Sequence, residues 1–294
     1  MRCNRFRVVL AVSAVLGVVI AISGSSQAEP VIYEPFDDSD STLNGNSTGT
    51  GLTGTWANSY DVEASDMSWG SLATSGYQVK MPNTYGRNGR AAAQLDGSLS
   101  GAGLLDDGAT LWFSTLLRTN QAFGANPDFG FALGTDSVWG RNNIPMLNSG
   151  DGIGFKIKNG QLRPAYWIDG SRYEVAGPGL TTSTVYLVVG EITWGADGSS
   201  NDTIQMYLPD TDFNLGSALA SHSGVLDQST FDTLTFAAKT DGPLLMAVDE
   251  IRFGATYDDV IGAAGSDIIP EPSTFLIWAL GLLGLAWCGR RRRS

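Results

Sequence analysis

Between Pro30 and Gly262 the chain never sustains a helical period, and this limits its fold more than any other feature. Apolar runs there are short, rich in β-branched and aromatic residues, and separated by Gly, Asn, Asp and Ser, the pattern of strands joined by turns. "ATLWFSTLLRT" (Ala109 to Thr119) places Trp112, Ser114 and Leu116 on one face of a strand and Phe113, Thr115 and Leu117 on the other. "DFGFALG" follows after a polar loop, and "GIGFKIKNGQLRPAYWI" reads as two strands joined at Asn159-Gly160, a pair that favours the type I′ hairpin turn. "TVYLVVGEITW" and "TIQMYLP", separated by "GADGSSND", make a second hairpin, and "TLTFAAK" and "LLMAVDEIRFG" are the last strands. The 37 glycines oppose long helices. No repeat of roughly 20–50 residues marks a solenoid or propeller. The expected class is all-β: one antiparallel β-sandwich or jelly roll.

The two ends have a different grammar. Arg2, Arg5 and Arg7 precede the uncharged "VVLAVSAVLGVVIAIS", and small residues at Ser26 and Ala28 come just before Glu29. This describes a secretory signal peptide, cleaved between Ala28 and Glu29, with the Sec translocon and signal peptidase as partners; an uncleaved anchor is the alternative. At the other end, Phe275 to Cys288 carries no charge and spans about 21 Å as a helix. A bilayer core is about 30 Å thick, so the run is short unless Ser273, Thr274 and Arg290 extend it. Arg290, Arg291, Arg292 and Arg293 act as a membrane stop and keep this end on the inner side. Pro270-Glu271-Pro272-Ser273 holds the chain extended ahead of the helix. The expected organisation is a signal peptide over 1–28, a sandwich over 29–262, a linker over 263–269 and a tail over 270–294, flanking the sandwich with a signal helix and a transmembrane helix.

Proline, glutamate, proline, apolar helix and arginine cluster, in that order, resemble the PEP-CTERM sorting signal of Gram-negative bacteria. The resemblance implies that an exosortase in the inner membrane reads Pro270, Glu271 and Pro272 and processes the protein for the cell surface or extracellular matrix. Those residues are then a substrate for another enzyme and not catalytic here. Whether the tail is cut or kept as an anchor stays open.

Charge and cysteines narrow the function further. The chain has 18 Lys and Arg against 30 Asp and Glu, a net charge of −12. Several of the arginines lie in the two ends, so the middle is more acidic still. Such a surface repels phosphate backbones and excludes nucleic-acid binding. Cys3 and Cys288 lie in the ends, so the middle has neither a disulfide nor a cysteine-based metal site.

"VIYEPFD" is expected as an edge strand, followed by a Gly/Thr/Asn-rich loop ending at Trp56. With "LWFSTLLRT", "VYLVVGEITWG" and the closing "VDEIRFGATYDDV", it resembles the concanavalin A-like (laminin G-like) sandwich, over about Val31 to Val260. In that family a late strand reads Asp-acidic-hydrophobic-Arg-hydrophobic, matched here by Asp249, Glu250, Ile251, Arg252 and Phe253.

No residue is assigned a catalytic role. His222, the single histidine, sits in the loop-like "LASHSGV" without a Gly-x-Ser-x-Gly elbow to complement it. Asp249 and Glu250 are strand neighbours and point to opposite faces, which prevents them from acting as a hydrolase pair. Glu191 reads as an outward-facing strand residue. "FDDSDS" (Phe36 to Ser41), "LDDG" (Leu105 to Gly108) and "GADGSSND" (Gly195 to Asp202) offer calcium ligands without EF-hand spacing; solvated turns explain them more simply, and no metal or cofactor is assigned. Trp56, Trp69, Trp139 and Trp167 could form a sugar platform or belong to the core. The leading reading is an exported, membrane-anchored and then surface-delivered, non-enzymatic sandwich associated with exopolysaccharide. The rival is a secreted glycan-binding or glycan-hydrolysing protein, which requires two carboxylates in a tryptophan-lined groove.

Overall fold

The computed structural model describes residues 29–37, 42–46, 48–57, 61–63, 67–72, 74–80, 88–119, 128–135, 150–197, 199–239 and 246–262, all within the unit Ala28–Ala264. The signal segment, the linker and the tail expected from the sequence lie outside the described residues. In chain order the first strands are β1 (Ile32–Glu34), β2 (Leu52–Ala57), β3 (Asp61–Glu63), β4 (Gln78–Lys80) and β5 (Asn88–Leu95). A one-turn helix α1 (Ser98–Gly101) precedes β6 (Thr110–Thr119), β7 (Asp128–Gly134), β8 (Gly152–Lys158), β9 (Gln161–Ile168) and β10 (Ser171–Glu174). Then come β11 (Val185–Thr193), β12 (Asp202–Tyr207), β13 (Ala220–Gly224), β14 (Thr233–Lys239), β15 (Met246–Gly254) and helix α2 (Tyr257–Ile261).

These strands form two antiparallel sheets. One runs β13-β12-β11-β6-β15-β4-β3 with β1 alongside β15; the other runs β10-β9-β8-β7-β14-β5-β2. Aromatic residues of both sheets meet between them. Phe113 and Phe253 of the eight-stranded sheet pack on Phe131 and Phe155 of the seven-stranded sheet, with ring centroids 5.6–6.2 Å apart across the pairs. Phe36, Trp56 and Phe236 form a second aromatic knot. Each buried ring of this kind contributes roughly 1.5–3 kcal/mol.

The expected alternation in β6 is present. Phe113 and Leu117 face the central core, while Leu116 and Trp112 face a separate apolar layer outside the eight-stranded sheet. Met67, Leu72, Leu187, Val189, Tyr207 and Ile261 complete that layer. Helix α2 packs onto it through Tyr257 and Ile261 and starts with a capping box, in which Asp259 N donates to Thr256 Oγ1 at 3.3 Å and Thr256 N donates to Asp259 Oδ2 at 2.7 Å. The Tyr257 ring also packs 5.7 Å from Trp112.

Strand β15 departs from simple alternation. Asp249 pairs with Leu116 and Arg252 with Ser114, leaving two residues opposite Thr115, a β-bulge. Glu250 at this bulge has φ +52°, a backbone state that costs a non-glycine residue about 1–3 kcal/mol. The side chain compensates: Glu250 Oε2 accepts from Arg252 Nη2 at 2.9 Å, and Glu250 Oε1 accepts from Ser75 N at 2.7 Å. Burial pushes the Glu250 carboxyl up, against the opposing pull of Arg252, Tyr33 and the Ser75 amide. The rule of opposite faces, applied to Asp249 and Glu250 from the sequence, therefore fails where the bulge interrupts the pleat.

Two further expectations can be placed. The "VIYEPFD" segment is the expected edge strand, since among the named strands β1 pairs with β15 alone, but Ile32 and Glu34 are buried and a bridge joins Tyr33 to Thr50. Glu34 accepts from Phe36 N, Gly49 N and Trp56 Nε1 at 2.8–2.9 Å, so burial raises its pKa only against three opposing hydrogen bonds. Secondly, "LASHSGV" is not a loop, because Ala220–Gly224 forms the edge strand β13. Replacing Phe131 with Ala removes the ring that touches Phe113, Phe155 and Phe253. The expected loss is about 3–5 kcal/mol of unfolding free energy, measured by denaturant titration.

Candidate functional site

The outer face of the seven-stranded sheet gathers positive charge in an acidic chain. Two tight turns set the register that does this. At Asn159 (φ +52°) and Gly160 (φ +73°) the chain reverses between β8 and β9, as the sequence leads one to expect, and this pairs Lys156 with Arg163. At Asp169 (φ +48°) and Gly170 (φ +70°) it reverses again, pairing Arg172 with Trp167 and Glu174 with Ala165. Period-two alternation then puts Lys156, Lys158, Arg163, Arg172 and Glu174 on one face. Gly154 and Ala165, paired with each other in the same face, leave space for long side chains to converge.

They converge on Glu174. Lys158 Nζ and Arg163 Nη1 each lie 3.3 Å from Glu174 Oε1, Arg172 Nε lies 3.1 Å from Oε2, and Lys156 Nζ lies 3.7 Å from Oε2. The Lys156 side chain has 0% exposure and that of Glu174 13%. Lys158, Arg163 and Arg172 remain partly open, at 33%, 18% and 29%. Burial tends to raise the Glu174 carboxyl, but Lys156, Arg172 and Lys158 outweigh it and the net shift is downward. One carboxylate thus gathers four cations, and Lys158, Arg163 and Arg172 keep partly exposed side chains. Further along the face, Ala132, Ala165 and Trp167 are fully buried as a small apolar cluster.

Sequence reasoning did not find this site. The Asp169-Gly170 dipeptide before "SRYE" was the available signal, because it predicts a third strand folding back beside β9.

The residues singled out from the sequence are placed elsewhere. Trp56 and Trp167 are buried, Trp69 is half-buried in the layer outside the eight-stranded sheet, and Trp139 lies outside the described residues. Trp56 and Trp167 therefore form no sugar platform. His222 packs against Tyr166 with centroids 4.6 Å apart, and Tyr166 stacks on Tyr173 at 4.9 Å, closing the sandwich edge between β9 and β13. Burial there lowers the His222 pKa. Glu191 accepts from Tyr207 Oη at 2.8 Å.

Two of the acidic loops meet: Asp107 Oδ1 accepts from Asp197 N at 3.1 Å and from Gln228 Nε2 at 3.2 Å. Asp202 accepts from Gly195 N at 2.8 Å and from Leu226 N at 2.7 Å. Residues 38–41 of the third loop lie outside the described set. Among the described residues no group of three or more His, Cys, Asp or Glu is arranged to hold a metal ion.

Removing the anchor tests the cluster. Glu174→Gln is expected to cost about 3 kcal/mol, because it removes the carboxylate that faces the buried Lys156. With a folded pKa below the ordinary 4.5, the ionised Glu174 stabilises the fold above that value. The contribution is lost as pH falls through the lower folded pKa. Denaturant unfolding of wild type and variant should therefore differ fully at neutral pH and converge as pH drops below 4.5.

Glu29 is exposed at the start of the described residues, while Ala28, Pro270, Glu271, Pro272, Ser273 and Arg290 to Arg293 lie outside them. Among the described residues no helix is long and apolar enough to cross a membrane. Residues 269–292 match the PEP-CTERM protein-sorting motif. The match implies export and surface sorting in bacteria, with exosortase as the processing partner. No curated protein matches the chain in sequence. Similar solved structures include the endo-beta-1,4-glucuronan lyase of the fungus Trichoderma reesei, with 14% identity, 79% of this chain and 98% of that chain covered, and a TM-score of 0.44. A carbohydrate esterase from a Shiga toxin-encoding bacteriophage gives 14% identity, 77% and 98% coverage, and a TM-score of 0.46. An alginate lyase from Chlorella virus gives 7% identity, 67% and 93% coverage, and a TM-score of 0.43.

Proposed function

We propose that this is an exported, non-enzymatic β-sandwich, delivered to the cell surface or matrix by exosortase through its tail, which holds acidic exopolysaccharide on the outer face of its seven-stranded sheet. The observation that carries this reading is the convergence of Lys156, Lys158, Arg163 and Arg172 on one carboxylate in a chain whose net charge is −12. A cluster of cations on an otherwise acidic chain attracts a polyanion and orients it. Arginine forks suit planar carboxylates or sulfates, which they bind in bidentate fashion. A binding role fits better than proton-transfer chemistry, because Glu174 is held ionised by its four partners and is a poor acid and a weakened base.

The partly exposed cations supply the test. The variant Lys158→Gln, Arg163→Gln and Arg172→Gln should lose at least tenfold in affinity for polyuronate in isothermal titration. Wild-type binding should also weaken steeply as salt rises. Equal binding by variant and wild type, or equal binding of polyuronate and neutral dextran, would overturn the reading. The sorting half is tested separately: Glu271→Ala should retain the protein in the membrane fraction, seen by fractionation and immunoblot, whereas unchanged surface delivery would exclude processing through this motif.

A further inference from the structure

The ladder between β2 and β5 has a gap. Thr53 pairs with Gln94 and Ala57 with Ala92, so three residues of β2 lie opposite the single residue Ala93. Gly54, at φ +80°, makes the detour sterically accessible. The detour is pinned from within by Trp56, whose side chain is buried and donates through Nε1 to Glu34 Oε2 at 2.8 Å. On its far side Trp56 N donates to Asn46 O at 3.0 Å, and Trp56 O accepts from Gly45 N at 2.9 Å. Strand β2 is thus fastened to the turn preceding it and drawn away from β5.

The space this opens is a cavity of about 250 Å³. Thr53, Thr55, Gln94 and Thr233 give it hydroxyl and amide groups, and Ala57 and Ala92 give it methyl groups; no lining side chain is charged. Thr233 Oγ1 already donates to Asp232 Oδ1 at 2.8 Å, which leaves its oxygen to accept. The volume falls below the roughly 300–1,000 Å³ of sites for drug-sized ligands and suits a single ring. Neutral donors and acceptors around a methyl floor match a ring that has hydroxyls at its edge and C–H groups on its face.

We infer that this cavity is a subsite for one uncharged pyranose unit, separate from the cationic cluster. It goes beyond the acidic-polysaccharide reading and does not depend on it. The centres of the two places, on β9 and β5, are four strand spacings or about 19 Å apart. Their nearest members, Lys156 and Lys158 on β8 and Thr233 on β14, have β7 between them, about 10 Å at ordinary strand spacing.

Saturation-transfer NMR on the full exported chain, with methyl glucoside, methyl galactoside and methyl mannoside as probes and methyl glucuronide as the charged control, tests the assignment. At least one neutral glycoside should give a signal that falls tenfold or more in Ala57→Leu, which fills the cavity. The same signal should fall in Gln94→Ala, an exposed position whose change leaves the core intact. It should persist in the Lys158, Arg163 and Arg172 glutamine variant, so the two sites fail independently. No transfer from any neutral glycoside, transfer from the glucuronide alone, or undiminished transfer in Gln94→Ala would each overturn the proposal.

Discussion

Strand β15 is buried along all nine of its residues, and the rest of the fold accommodates that constraint. A strand covered on both faces needs a second apolar layer outside its sheet. Helix α2, the 67–72 segment and Phe213 with Leu215 supply it. The strand also carries Asp249, Glu250 and Arg252 into that interior. Burying such charges is tolerable only when they are paired and hydrogen-bonded. The bulge turns Glu250 toward Arg252 and Ser75, while Arg252 lies 5.0 Å over the Tyr33 ring. The irregular φ at Glu250 is therefore part of how the sheet seats a charged strand among β1, β4 and β6.

The two sheets differ on their outer faces. That of the eight-stranded sheet carries its own apolar layer, while that of the seven-stranded sheet carries the cationic cluster beside the buried Ala132, Ala165 and Trp167. Its side chains are polar or small at the positions where the other sheet is apolar: Lys156, Gly154 and Ala165 here against Leu116, Leu187 and Val189 there. A sheet whose two faces meet different surroundings reads as alternating residues, as "GFKIK" does with Phe155 and Ile157 toward the core and Lys156 and Lys158 on the opposite face.

That contrast explains what the sequence made legible. β6, β7, β8, β9, β11, β12, β14 and β15 contain strong apolar or β-branched runs, and the Asn159-Gly160 turn declared its hairpin. β2, β5 and β13 did not, because "LTGTWA", "NGRAAAQL" and "ASHSG" carry too few large apolar residues to mark a face. They become strands by pairing with neighbours that are already placed, a tertiary effect that local propensity does not report. The cationic cluster was hidden for a related reason. Its members span "KIKNGQLR" and "SRYE", and only the register of two successive turns brings four cations to one carboxylate.

The tail was legible for the opposite reason. A sorting signal is read by its processing enzyme as an extended linear segment, so its meaning lies in residue order and survives without a fold. Pro270-Glu271-Pro272 thus declares itself in any chain that carries it, whatever domain precedes it. The cationic cluster is a property of strand pairing: Lys156 and Arg172 are distant in the chain and become neighbours of Glu174 through the pairing of β8, β9 and β10. Changing the Asp169-Gly170 turn would shift β10 by one residue and send Glu174 to the opposite face. That would dissolve the cationic site without altering a single one of its cations. The sorting motif is written in order, and the cationic cluster is written in register.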